Sequence, residues 1–391
     1  MWSSNFRLYF GARTTSLLGD AMIPVALSVG VLDAGYGATG VGYALGAWLA
    51  AVALCMLFGG VLADRFTPRR MMVLADFARF ALQAVTAMLF LAGAPSLVLI
   101  VVLQFLSGAA TAMFQPGVAS MVPQVADDVQ KANGTLRIAE SMAGVLGPAL
   151  AGVLVSVSGP GVVFGIYAAT YAVSGACLLG LKLDTAPAST GEPFLAELVA
   201  GWQAFRARTW LWSVIAIFGL YGCFVVGTSL PIGAELVIGH LDSTALGLGL
   251  AAFGAGGAIG GTLAIRFRPR RPLAVGAIGW ALFAIYPLVP ALRPNLTVLM
   301  IGWSIAGAGI AFWSVLWSTT VQTQVPPDLL NRVYAYDVAG SLVTMALGRT
   351  VAGPLAGITG EVPLMVFAAV LGVFCAALLV VVPATRRLTT S

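Results

Sequence analysis

The twelve residues at 59–70 read GGVLADRFTPRR, and those at 260–271 read GGTLAIRFRPRR, identical at nine of twelve positions. The fixed offset of 201 residues within a chain of 391 makes this sequence two copies of one unit, so any fold available to the first half must also suit the second. Each copy of the motif closes a long apolar run with paired glycines and then turns through an arginine-rich loop. That is how a helical hairpin leaves a bilayer on the side that retains positive charge.

Composition agrees. Charged residues are 9% of the chain, against roughly 25% in ordinary soluble domains. The hydrophobic fraction is 59% and the mean hydropathy is +0.96. The expectation is an all-α membrane protein, with spans of about 20 apolar residues each. Twelve fit along the chain, near 6–32, 38–63, 69–93, 96–121, 130–157, 160–182, 210–238, 244–265, 272–291, 295–321, 331–358 and 362–382. This gives two pseudo-symmetric six-helix bundles, 1–182 and 209–391, joined by a cytoplasmic linker at 183–208. In the linker, Phe194, Leu195, Leu198, Val199, Trp202 and Phe205 recur at helical spacing, as in an amphipathic helix on the membrane surface or packed on protein.

Of the 20 lysines and arginines, all but Arg293 and Arg349 fall on one face of this topology, which places both termini in the cytoplasm. The net charge of +5 is then a topology signal and implies no nucleic-acid partner. The first span has no small-residue cleavage site and reads as a retained helix. Four scattered cysteines inside spans suggest small packing residues. No phosphate-cradling Gly-x-x-x-x-Gly-Lys-Ser/Thr occurs, no His/Cys cluster offers a metal site, and Gly254, Gly256, Gly257, Gly260 and Gly261 lie in an apolar span, where they suit helix packing. The chain is expected to be no enzyme and to need neither cofactor nor metal.

An ionised group within a bilayer is costly, so each intramembrane charge is a candidate functional residue. Asp20 leads, roughly 21 Å along its helix at about 1.5 Å per residue. Its repeat-mate is Tyr221, so the charge belongs to one half alone. It is read as a coupling or substrate-contact residue, the other reading being a structural carboxylate. Arg137 and Glu140 lie one turn apart and suit a salt bridge, with a proton or cation role for Glu140 the alternative. Asp76 and Arg79 repeat that spacing and read as structural. Arg349 requires a partner; Glu235 would make an outer gate, Asp33 is the other candidate, and anion recognition competes. Asp337 is expected to be hydrated and His240 to lie in a solvated loop. Trp48, Phe105, Phe114, Tyr167, Tyr221, Phe224, Phe312, Trp313 and Trp317 are packing residues or stacking surfaces for a flat substrate.

The 59–70 motif resembles the signature of the major facilitator superfamily through Gly60, Leu62, Ala63, Asp64, Arg65, Arg69 and Arg70, with Thr67 in place of a glycine. The second copy departs at Ile265, which stands where the first has Asp64. The resemblance implies a gating role for Asp64, Arg65, Arg69 and Arg70. On the fifth span, GVLGPALAG at 144–152 is similar to that family's antiporter signature through Gly147, Pro148 and Gly152, which implies export. Gly353 and Pro354 echo it in the second half. SLLGD at 16–20, FQPGVASMVP at 114–123 and Ala132-Asn133 resemble the subgroup of macrolide-efflux and siderophore-export proteins. Gln104 occupies the place of an arginine in the family's fourth-helix signature, so that arginine's proton-relay role is not carried over.

The resemblance implies a monomeric transporter of the bacterial cytoplasmic membrane that exports a small amphipathic molecule in exchange for protons, by alternating access. Siderophore or lipid export on the same scaffold is the first alternative, and a non-transporting sensor or assembly partner the second.

Overall fold

A computed structural model describes residues 2–65, 67–93, 95–182, 203, 206–267, 269–386 and 388, with the side chains at 57–65, 116, 119–120, 327–332 and 334–335 left out. The expected linker helix and the side chains of Asp64 and Arg65 therefore lie outside the described residues. All regular structure among those residues is helical. With no water in a bilayer core to bond backbone groups, an apolar segment satisfies its N–H and C=O groups within its own helix.

In the first half, α1 spans Ser4–Asp33, α2 Gly37–Arg65, α3 Pro68–Leu91 and α4 Leu97–Val125. Helical hydrogen bonding then runs through Val129–Leu179, 51 residues or about 76 Å, more than twice a bilayer's hydrocarbon thickness. It breaks at Gly159, whose φ of 79° and ψ of 166° suit glycine alone, giving α5 (129–158) and α6 (160–179). In the second half, α7 (Thr209–Tyr221) and α8 (Thr228–His240) are joined by a π-helical turn at Gly222–Gly227. There follow α9 (Ser243–Arg266), α10 (Pro272–Phe283), α11 (Ile285–Ala291), α12 (Leu296–Gln324), α13 (Pro327–Thr359), α14 (Glu361–Val381) and the short α15 (Pro383–Arg386).

Among the described residues eleven stretches are long and apolar enough to cross a membrane, and the break at Gly159 divides the longest into two, which agrees with the twelve crossings expected. The break also recurs. Gly360, 201 residues after Gly159, separates α13 from α14 with φ 87° and ψ 151°.

The chain divides into two compact units, Met1–Gly191 and Glu192–Ser391. In the first, α1 and α3 pack on the α5–α6 pair and α2 packs on α4. In the second, α9 and α10 pack on α12, and α13 packs on the π turn. Without a hydrophobic force between helices in lipid, such contacts need small residues that let backbones approach. Gly256 and Gly260 on α9 lie directly on the backbone of Ser304 and Ala308 of α12, where a Cβ has no room. These two glycines of the cluster are a packing surface, whereas a Cβ on Gly261 would meet no neighbour within 4 Å.

The antiporter-like glycine packs similarly. Gly147 of α5 lies on Ala21 and Leu18 of α1, and Gly348 of α13 on the Cys223 carbonyl. These two are 201 residues apart, so the structural mate of Gly147 is Gly348 and the mate of Pro148 is Arg349. The Gly353-Pro354 echo is out of register.

Candidate functional site

Helical geometry puts residues three, four and seven apart on one face. Tyr167, Tyr171 and Ser174 therefore form one stripe on α6, and Asp76 and Arg79 one face of α3. Together with Asp20 of α1 they make a continuous polar network inside the first unit.

Asp20 Oδ1 accepts from the Tyr167 hydroxyl at 3.0 Å and from the Tyr171 hydroxyl at 2.5 Å. The two hydroxyl oxygens are themselves 2.5 Å apart. Arg79 Nη1 donates to the Tyr171 oxygen at 3.2 Å, and its Nη2 pairs with Asp76 Oδ1. The other oxygen of Asp76 accepts from Ser174 Oγ at 2.6 Å. The guanidinium also stacks on two rings, 4.5 Å from the centre of Phe114 and 4.1 Å from that of Tyr171. Asp76, Arg79, Tyr167, Tyr171 and Ser174 are all buried, while Asp20 is half-buried at the edge.

Two features set what this arrangement can do. The first is charge: two carboxylates face one guanidinium, so one added proton makes the network neutral in a setting where net charge is costly. The second is a proton count. Three oxygen–oxygen contacts of 2.5–3.0 Å link Asp20 Oδ1, Tyr167 and Tyr171, but each phenol has one proton. With Asp20 ionised, two protons serve three contacts. With Asp20 protonated, every contact has one.

One turn further along α3, Gln83 Nε2 donates to Ser107 Oγ of α4 at 2.9 Å. Gln104, in the family's arginine position, is buried and its Nε2 has no acceptor among the described residues. Both lie outside the charged network. Arg137 and Glu140 form an ion pair of 2.9 Å with side chains 81% and 50% exposed, and exposed pairs of this kind contribute little stability. That pair lines a cleft of about 370 Å³ with Arg13, Gln115 and Asn133.

Tyr221 is fully buried, donates to the Trp280 carbonyl at 3.2 Å and stacks on the Trp280 ring at 4.2 Å. Arg69 of the loop motif donates through Nε to the Leu178 carbonyl at 3.0 Å and through Nη2 to that of Leu179, closing the C-terminal end of α6. Arg70 is exposed. Pro148 and Gly152 are buried in α5 beside Gly147. Glu235 is half-buried on α8, and Glu361 lies in the electrostatic reach of both Glu235 and Arg293. Arg349, also half-buried, lies in reach of the buried Tyr286. His240 is exposed as expected, but it is the last residue of α8 and not part of a loop.

Asp337 is the correction. It is 7% exposed, and its Oδ2 accepts from Trp317 Nε1 at 2.9 Å, so an indole N–H bonds the carboxylate that was expected in the open. Asp76 and Arg79, which read from the sequence as a structural pair, do form a buried ion pair, and Tyr167, which reads as a packing or stacking aromatic, joins them through Tyr171. Neither Tyr171 nor Ser174, which donates to Asp76, is singled out in the sequence analysis. The signal was the i, i+4, i+7 polar stripe within an apolar span.

The family model described as Major Facilitator Superfamily matches residues 9–260. Enterobactin exporter EntS of Citrobacter koseri is 26% identical over 366 residues, 90% of this chain and 85% of that protein. Multidrug efflux pump Tap of Mycobacterium tuberculosis is 26% identical over 350 residues, 85% of this chain and 82% of that protein. Among solved structures, a bacterial homologue of the human lysosomal transporter Spinster, inward-facing and unoccupied, aligns with a TM-score of 0.75 at 16% identity, covering 99% of this chain and 98% of that one. Nucleoside transporter NupG aligns with a TM-score of 0.75 at 12% identity, covering 98% and 100%. At such identities the structural likeness speaks for the fold.

Proposed function

We propose that this chain, which belongs to the Major Facilitator Superfamily, exports an amphipathic small molecule across the bacterial cytoplasmic membrane in exchange for protons. The observation that carries the coupling is the proton count at Asp20: three oxygen contacts and two phenol protons, beside an Asp76–Arg79 ion pair that reaches Asp20 through the Tyr171 hydroxyl. Asp20 takes a proton, Tyr167 and Tyr171 hold its oxygen in place, and Arg79 carries the change in charge to Asp76. Glu140, half-exposed and already paired with Arg137, is the second candidate. Export is supported by the relatives, an enterobactin exporter and a multidrug efflux pump. In the same reading Asp64, Arg65, Arg69 and Arg70 gate one membrane face, and Arg349 with Glu235 gates the other.

The test is flux in proteoliposomes under an imposed pH gradient, with cationic, neutral and anionic amphiphiles, comparing the wild type with Asp20→Asn. Gradient-driven movement lost in Asp20→Asn, with Glu140→Gln retained, supports the assignment. Coupled movement that survives Asp20→Asn overturns it. A second reading, export of an anionic siderophore, is favoured by Arg13 and Arg137 in the polar cleft of the first half. Under it, Arg13→Gln abolishes flux of anions alone.

A further inference from the structure

The second unit contains a cleft that the proton network does not use. It is walled by α7, α12 and α13, holds about 350 Å³ and is lined by Phe218, Trp313, Trp317, Ser341 and Met345, with Asp337 as its one carboxylate. That volume falls in the range of small-molecule sites, roughly 300–1,000 Å³.

Its origin is legible in the repeat. The polar cleft of the first half is lined by Arg13, Leu17, Leu136, Arg137 and Glu140. The positions 201 residues on from these five are Val214, Phe218, Asp337, Val338 and Ser341, all lining the second cleft, whereas the mates of Gln115, Val118 and Val122 line a separate cleft beside α9. One ancestral cleft is thus present twice with opposite chemistry. The first copy contains its own cation and anion, already paired. The second has exchanged both arginines for valines and put an acid where the first has leucine.

That acid is left with an indole N–H for its Oδ2 and, among the described residues, no ion pair. A buried carboxylate with no paired cation is stabilised by gaining a cation or a proton. The adjoining surface suits a flat cation. Trp313 and Trp317 lie nearly parallel, 12° apart with ring centres at 5.8 Å, and such faces attract positive charge.

We propose that this cleft binds an organic cation with a flat apolar body, the charge against Asp337 and the rings against Trp313 and Trp317. This rests on the export reading, for which it names the substrate class.

The test uses the full-length purified protein and two fluorescent probes of one shape, N-methylacridinium, which is permanently charged, and acridine, which is neutral at pH 7.5. The wild type is expected to bind the cation at least tenfold more tightly. Asp337→Asn, close to isosteric, is expected to remove that preference while binding of acridine stays within twofold. Val338→Arg, which returns the first half's arginine to the second cleft, is expected to remove it with the carboxylate intact, so the test survives if Asp337→Asn does not fold. Equal binding of both probes by the wild type, or a preference unchanged in both variants, overturns the proposal. Asp20→Asn is expected to leave the preference intact, so failure of the coupling reading and failure of this site give different results.

Discussion

The two halves share a backbone plan and differ in what they place inside it. At equivalent positions the first half has Asp20, Asp76, Arg79, Tyr167, Tyr171 and Ser174, and the second has Tyr221, Ala277, Trp280, Ala368, Gly372 and Cys375. Every member of the charged network has a neutral counterpart. Where one copy has Tyr171 the other has Gly372, packed against Ala284 and Val225, and where one has Arg79 the other has the fully buried Trp280, stacked on Tyr221. Trp280 continues through Trp313, at 4.8 Å between ring centres, to Trp317 and Asp337. Duplication has let one copy carry titratable chemistry while the other became an aromatic wall with a single acid at its end.

The largest expected effects come from exchanging the residues that define this difference. Trp280→Arg buries a guanidinium with neither Asp76 nor Tyr171 equivalents beside it, and should cost about 3–5 kcal/mol or prevent assembly, because an uncompensated buried charge is at least that unfavourable. Arg79→Trp leaves Asp76 without its cation and should cost a similar amount, about 3–5 kcal/mol. Adding Asp76→Ala to Arg79→Trp recreates the Ala277–Trp280 pair of the second half and should recover about 1–3 kcal/mol, the usual size of coupling between touching residues. Thermal unfolding of the detergent-purified protein measures all three. If Arg79→Trp alone unfolds like the wild type, Asp76 does not depend on the guanidinium, and charge is not what separates the halves.

How far the sequence reveals this follows from the physics of each signal. Length and hydropathy of a span are properties of consecutive residues, so the twelve crossings, the break between the fifth and sixth and the duplication are all readable along the chain. Which helices touch is not. Asp76 and Arg79 look like a local i, i+3 pair until α6 brings Tyr171 and Ser174 against them. Tyr167 and Tyr171 look like packing aromatics because their hydroxyls acquire meaning only from Asp20, about 150 residues earlier. Asp337 looks hydrated by its position near a helix end, and only the packing of Trp317 from another helix buries it and gives it an indole partner. The π turn at Gly222–Gly227 carries no charge or proline to mark it, and the out-of-register Gly353-Pro354 echo was the more visible motif although Gly348 makes the contact.

Where the halves agree, matched mutations should have matched effects. Gly159 and Gly360 both occupy backbone angles that a Cβ strains, at the same place in each repeat. Gly159→Ala and Gly360→Ala should each destabilise by about 1–3 kcal/mol. The informative quantity is their ratio by thermal unfolding. Costs differing by more than about twofold would mean that one break is held by its surroundings and the other is not.

The smallest effects test the comparison at single hydroxyls. Tyr171→Phe removes a donor to a carboxylate and an acceptor from Arg79, and hydrogen bonds to charged groups contribute about 1.5–3 kcal/mol. Tyr221→Phe removes one bond to the Trp280 carbonyl, a neutral contact of about 0.5–1.5 kcal/mol, and leaves the ring stack in place. The two substitutions are the same chemical change made once in each half. Tyr171→Phe should slow gradient-driven flux as well as lower stability, whereas Tyr221→Phe should leave coupled flux within about twofold of the wild type, since its hydroxyl touches no titratable group in that contact. Equal losses of flux would place the proton path in both copies, and the division of labour between the halves would then be one of packing alone.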